Sequence, residues 1–145
     1  MRFMMMMIPK VYQGAEGKKV RADFAPPAEA VAKMMKYNEE LAKAGALIAL
    51  DGLHPREKGA RVSFSKGKAA VTDGPYIESN EVFGGYWMVQ FKSKEEAIQW
   101  AKRVPAEDGD VVEIRQVFEN EDFPEDVQKA AENPTVKAEV DKHRK

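Results

Sequence analysis

Val71-Thr72-Asp73-Gly74-Pro75-Tyr76-Ile77-Glu78-Ser79-Asn80-Glu81-Val82-Phe83-Gly84-Gly85 joins two apolar runs through a Gly-Pro turn, three carboxylates and a Gly-Gly pair. Glycine accepts positive φ and proline fixes its own, so Gly74-Pro75 is strong turn chemistry. A constrained loop this dense in polar groups suits a site, and a tight turn locked by proline is the plainer alternative. The chain on either side of it sets the fold.

Downstream, Gly84 to Phe91 reads as a strand, with Trp87, Val89 and Phe91 on one face and Tyr86, Met88 and Gln90 on the other. Ser93 to Glu96 is a Ser-x-x-Glu capping box opening a helix. Ala97, Trp100, Ala101 and Val104 form its apolar stripe, and Pro105 closes it. Asp108-Gly109 then turns into a strand from Val111 to Phe118, with Val112, Ile114 and Phe118 on one face and Glu113 and Arg115 on the other. Beyond Asn120 the composition turns to charge. Pro124 to Glu132 reads as a helix ended by Asn133-Pro134, and Lys142 to Lys145 as a frayed end.

Upstream, Arg61 to Phe64 reads as a half-buried strand, Ser65-Lys66-Gly67-Lys68 as a hairpin turn and Ala69 to Thr72 as the return strand. Ala46 to Leu50 is a further strand, left through the turn Asp51-Gly52-Leu53-His54-Pro55. Pro26-Pro27 opens a helix with Val31, Met34, Met35, Leu41 and Ala42 on its apolar face, and Gly45 is placed to cap its end. Asn38 shares that face as a satisfied polar neighbour. Phe3 to Ile8 is a continuous apolar run of strand length, and Val11 to Ala25 reads as loop.

The order strand, helix, strand, hairpin, strand, helix, strand gives an α+β fold, a ferredoxin-like split βαβ sandwich with an antiparallel sheet and helices on one face. The first strand and the Gly84–Phe91 strand are apolar on both faces. If Met5, Met7, Trp87 and Val89 meet the helices, then Met4, Met6, Tyr86 and Met88 face away. A large apolar side chain left in water forgoes roughly 1.5–3 kcal/mol. A second copy of the chain is the economical cover, so a homodimer is expected, with a C-terminal helix folding back as the competing cover.

The bulk numbers restrict the function classes. At 145 residues the chain is most simply one domain with a real core. It has no Cys, which excludes disulfides, thiolate catalysis and thiolate-ligated metals. Net charge is -1 and pI near 6.2, which argues against a dominant nucleic-acid surface. The apolar start, Phe3 to Ile8, is too short for a signal peptide and is stopped by Pro9-Lys10, and no stretch approaches a membrane span. The expected partners therefore exclude nucleic acid and membrane, and a cytoplasmic location follows by default.

Several ordered motifs then carry a resemblance. Asp73-Gly74-Pro75-Tyr76 with Glu78 and Glu81-Val82-Phe83-Gly84-Gly85-Tyr86 resembles the signature of the YCII-related proteins, in their DGPF branch, with Tyr76 where Phe is usual. Gly52-Leu53-His54-Pro55 resembles that branch's Gly-Leu motif, Ala97 to Lys102 with Val104-Pro105 its second helix, and Val112-Glu113-Ile114-Arg115 its last strand. The likeness runs from the first strand to about Phe118. It implies a domain over residues 1–118, with 119–145 a charged, partly helical extension. It further implies a ferredoxin-like sandwich dimerising sheet to sheet, as a dimeric α/β barrel, with a cleft near the Asp-Gly-Pro turn. Relatives of the YciI type carry a His and Asp pair proposed as catalytic, and some DGPF relatives are associated with sigma factors.

The candidate site residues are His54 and Asp73 as an acid–base pair, with Arg61, Ser63, Tyr76, Glu78 and Arg115 as ligand-binding groups. His54 before Pro55 stands at a strand end, and a carboxylate beside it would fix its tautomer and raise its basicity. A surface-loop His and an Asp bonded within its own turn are the plainer alternatives. An Arg aimed into a cleft binds a carboxylate or phosphate by a bidentate fork, whereas surface ion pairs with Glu78, Glu81 or Glu113 are the commoner outcome. Tyr76 is a candidate for a pocket wall. No metal-ligand spacing, nucleotide fingerprint or nucleophile elbow occurs, and neither metal nor cofactor is expected.

Two functions remain open from the sequence. One is a small dimeric enzyme of proton-transfer or hydrolytic type acting on a small polar or anionic substrate. The other is a non-catalytic small-ligand binding or regulatory module with a protein partner, linked to sigma-factor or stress regulation.

Overall fold

A computed structural model describes residues 1–17, 20–21, 23–73 and 82–144, with the backbone alone at Glu16 and Asp73. The fold is built on a central strand, β1 (Arg2–Ile8), flanked antiparallel by β5 (Gly85–Gln90) and β6 (Val111–Gln116). β2 (Leu47–Gly52) adds to the outer edge of β5, so the sheet order is β2-β5-β1-β6. Helix α2 (Ala28–Lys43) connects β1 to β2, and α3 (Lys94–Ala101) connects β5 to β6. This is an open antiparallel sheet with helices, consistent with the ferredoxin-like expectation.

The register assigns the two faces. Met5 lies opposite Trp87 and Ile114, and Phe3 opposite Val89, on the helix side. There Phe3, Met5, Trp87, Val89 and Phe91 pack with Tyr37 and Leu41 of α2 and Ala97 of α3 into one core. Met4 lies opposite Met88, and Met6 opposite Tyr86 and Glu113, on the other side. The alternation expected of the two-faced strands is therefore present. Within a single chain Met6 and Ile8 are buried, while Met4, Tyr86 and Met88 are half-buried.

Local chemistry explains the helix ends. Ser93 Oγ accepts from the Glu96 backbone N–H at 3.1 Å, and Glu96 in turn accepts from the Lys92 N–H at 2.8 Å. Gly45 follows α2 at φ +72°, the left-handed position that stops a helix. The inward face of α2 differs from the expected stripe: Tyr37, Asn38 and Leu41 are buried, whereas Val31 and Met35 are exposed. The helix makes its deep contact through Tyr37, Asn38 and Leu41, the first two of which meet Trp87.

Residues 11–25 include a 3-10 turn at Lys10–Tyr12 and one helical turn, α1 (Gly14–Gly17). Here loop was expected, and Tyr12 is buried. Among the described residues the strand at Ala60–Ser65 (β3) pairs only with Lys68–Asp73 (β4), forming a separate two-stranded ribbon. Lys66 and Gly67 turn it at φ 52° and 75°, as a tight hairpin requires. The expected half-burial of Arg61–Phe64 is not found: all of β3 is exposed, with Phe64 at 79% and Val71 across the ribbon at 71%. The ribbon stands outside the four-stranded sheet, and among the described residues none covers β3.

Phe118 was expected on the buried face of the last strand. It lies past the end of β6, is 71% exposed and stacks on Phe123 at 4.7 Å. The tail is more helical than expected: after α4 (Glu125–Ala130), Asn133 caps and Pro134 begins a second helix, α5 (Pro134–His143), which includes residues expected to fray. Proline suits a first turn as well as an ending, which is why Asn133-Pro134 reads both ways. Neither tail helix has a buried residue. Among the described residues no helix is long and apolar enough to cross a membrane.

Candidate functional site

The ends of β1, β5 and β2 meet at Gly84. Its N–H donates to Met7 O at 2.8 Å, and its carbonyl accepts from the Leu53 N–H at 3.0 Å. A Cβ on Gly84 would stand 2.6 Å from Pro9 Cγ, so the Gly-Gly pair serves close approach of chains. The Gln13 side chain ties the neighbouring loop to the same place. Its Nε2 donates to Pro9 O at 2.7 Å and Val82 O at 2.8 Å, and its Oε1 accepts from the Val82 N–H at 2.9 Å.

From this junction the chain runs through Leu53 and His54 to a buried Pro55 and Arg56. Arg56, only 3% exposed, donates from Nη2 to Gly14 O at 2.6 Å, locking the turn after β2 to the loop after β1. His54 itself is exposed. It stands between two clefts and lines both.

The first cleft, about 510 Å³, includes Arg56, Lys58 and Arg61 with His54 in its walls, beside Val82 and Phe83. The second, about 410 Å³, is apolar and includes Met7, Val11, Tyr12, Phe24 and Leu53 in its walls. Tyr12 and Phe24 meet edge to face at 5.9 Å. Burial pushes the Tyr12 hydroxyl above its ordinary pKa, which keeps it a neutral donor, directed at Leu53 O at 3.4 Å.

Of the residues singled out from sequence, His54 and Arg61 come together at the first cleft. Asp73 ends β4, its backbone paired with Ala60, next to Arg61. Ser63 is exposed further along β3, opposite Ala70. Arg115 lies on β6, the edge of the sheet opposite β2, 3.6 Å from Glu113, and is not brought to His54. Tyr76 and Glu78 lie outside the described residues. Trp87 is in the core. Among the described residues no three His, Asp or Glu side chains gather as metal ligands would.

Tyr12, Gln13, Phe24, Arg56 and Lys58 were not anticipated. The first three sit in a stretch without periodicity. Arg56 and Lys58 follow a Pro in a short 3-10 turn, Arg56–Lys58, where charge normally signals a solvated loop. The pattern Gln-Gly at positions 13 and 14 carries no signal of a bracket onto Val82.

The fold and this junction place the chain among small α+β proteins with a recess at one end of an antiparallel sheet. The model of the YCII-related domain matches residues 1–121, and the chain belongs to that family. No curated protein matches it.

Proposed function

We propose that this YCII-related protein, read as one of the DGPF branch, is a small dimeric enzyme that binds a small anionic molecule at His54. In this reading His54 and Asp73 act as its acid–base pair. The observation that carries the reading is the position of exposed His54 on the rim of a cleft walled by Arg56, Lys58 and Arg61. Guanidinium and ammonium groups around a recess favour a carboxylate or phosphate. Support for Asp73 comes from its backbone pairing with Ala60, which lies between the cleft residues Gly59 and Arg61. A carboxylate beside the neutral imidazole would fix its tautomer and stabilise the imidazolium that forms when it takes up a proton, as a general base requires.

The second copy is proposed to lie against the sheet face away from the helices. That face carries Met4, Tyr86 and Met88 together with both charge signs, at Arg2, Asp51, Glu113 and Arg115. A face mixing both signs can complement itself across a twofold axis. Light scattering at micromolar concentration should give twice the chain mass, and Met88→Glu should return it to one. A single-chain mass for the unaltered protein would remove the dimer from the reading. A cytoplasmic location and an accessory role for residues 119–145 complete it.

The test of function is a thermal-shift screen of small carboxylates and phosphates, followed by mass analysis of each stabilising compound after incubation. Conversion that is lost in both His54→Gln and Asp73→Asn, with binding retained, supports the acid–base pair. A ligand returned unaltered favours the non-catalytic binding or regulatory module instead.

A further inference from the structure

We infer that the ligand of the His54 site is amphipathic: an anionic head in the basic cleft and an apolar body in the Tyr12–Phe24 cleft. This rests on the reading of His54 as the rim of an anion site and adds the class of molecule. Leu53 and His54 line both clefts, so the two recesses adjoin along this one short segment. They differ in the charge of their walls. Lys58 brings an exposed ammonium to one, beside Arg56 and Arg61, whereas Val11, Tyr12 and Phe24 give the other an apolar wall.

The apolar recess is also a built feature. Gln13 ties its lining residue Pro9 to Val82, Arg56 ties Gly14 of α1 to the turn after β2, and Tyr12 and Phe24 of its wall meet edge to face. Yet Val11, at 46% exposed, presents an aliphatic side chain to open space there. A molecule carrying only a small anion would fill the basic recess and leave this wall wet. A molecule with an alkyl chain beyond the anion would cross the Leu53–His54 rim and cover it. His54 would then face the atoms that join head to body, where an acid–base group acts on a carbon beside a carboxyl or phosphoryl function.

The experiment is a calorimetric titration of the full chain with acetate, butanoate, hexanoate and octanoate, and with hexan-1-ol as the uncharged match. Affinity should rise about threefold or fourfold per methylene up to hexanoate. Val11→Ser and Phe24→Ala should flatten that rise without weakening acetate, whereas Lys58→Gln should weaken every acid alike and leave hexan-1-ol unchanged. Val11 is partly exposed, so Val11→Ser keeps the test valid if Phe24→Ala fails to fold. Acids that all bind like acetate would overturn the amphipathic ligand and leave the anion site standing. Hexan-1-ol binding as well as hexanoate, or no acid binding at all, would overturn the anion site and this inference with it.

Discussion

The indole Nε1 of Trp87 donates to Oδ1 of Asn38 at 2.7 Å, with Asn38 only 6% exposed and Trp87 only 5%. The bond joins the centre of β5 to the middle of α2 and accounts for a polar residue on an otherwise apolar helix face. Asn38 also reaches Met35 Sδ from Nδ2 at 3.5 Å, so both ends of its amide have contacts. Asn38→Ala leaves the indole N–H buried without its acceptor. We expect a loss of about 1–3 kcal/mol in urea unfolding, with no loss of ligand binding at His54. An Asn38→Ala protein as stable as the parent would show that water replaces the amide there.

Tyr37 occupies the preceding position on the same helix. Its hydroxyl donates to Trp100 O at 2.8 Å, and its ring meets Trp87 and Trp100 edge to face. Burial pushes its pKa from 10.0 up to about 12, and the nearby Arg103 offsets only part of that rise. The unfolded chain releases this proton first, so stability is full below pH 10 and falls as pH rises toward 12. Tyr37→Phe should remove this part of the alkaline loss while lowering stability at neutral pH through loss of the hydroxyl's bond to the Trp100 carbonyl, which keeps the Arg103 N–H at 3.0 Å as its donor. Identical alkaline unfolding curves for the two proteins would contradict the assignment.

The sheet was legible because its strands alternate. Phe3, Met5, Trp87 and Val89 on one side, and Met4, Met6, Tyr86 and Met88 on the other, follow from a period of two that register then confirms. The hairpin turn was legible because Lys66-Gly67 offers the left-handed pair a tight ribbon needs. Burial of that ribbon was not legible, since Val62 and Phe64 alternate with Arg61 and Ser63 whether or not a layer lies beneath them. Half of the proposed site was visible through His54 and Arg61. The other half depends on Tyr12 and Phe24, brought in by a loop whose position is fixed through side-chain bonds of Gln13 and Arg56, and no periodicity records such bonds.

Gly85 begins β5 where β2 crosses closest. A Cβ there would stand 2.9 Å from Asp51 O and 3.4 Å from Gly52 Cα, both backbone atoms with little room to yield. Gly85→Ala should therefore part β2 from β5 at the end that carries Leu53 and His54. We expect a destabilisation of about 1–3 kcal/mol, together with weaker binding of anions at His54. Gly67→Ala is the useful control, because it adds φ strain at +75° with nothing within 4 Å of the new methyl, far out on the ribbon. Equal effects of the two substitutions on anion binding would show that crowding at the strand ends does not shape the site.

The tail is pinned to β1 by charge. Arg2 donates from Nε to Glu119 Oε1 at 2.6 Å and from Nη2 to Oε2 at 3.0 Å, a two-pronged pairing. Arg2 alternates in phase with Met4 and Met6, so the extension leaves the sheet on the face proposed for the second copy. The hydrogen bond from Arg2 holds the Glu119 carboxyl below its ordinary pKa of 4.5. A lowered value means the clasp is intact above pH 4.5 and is lost as pH falls through the depressed one. Both side chains are partly open to water, so salt should weaken it as well. Amide NMR shifts of Asn120–Gln128 should move together on acidification in the parent. In Glu119→Gln they should already sit at their acid positions at neutral pH and stay there. Matching spectra for parent and Glu119→Gln at neutral pH would mean that the Phe118–Phe123 stack, rather than the ion pair, seats the tail.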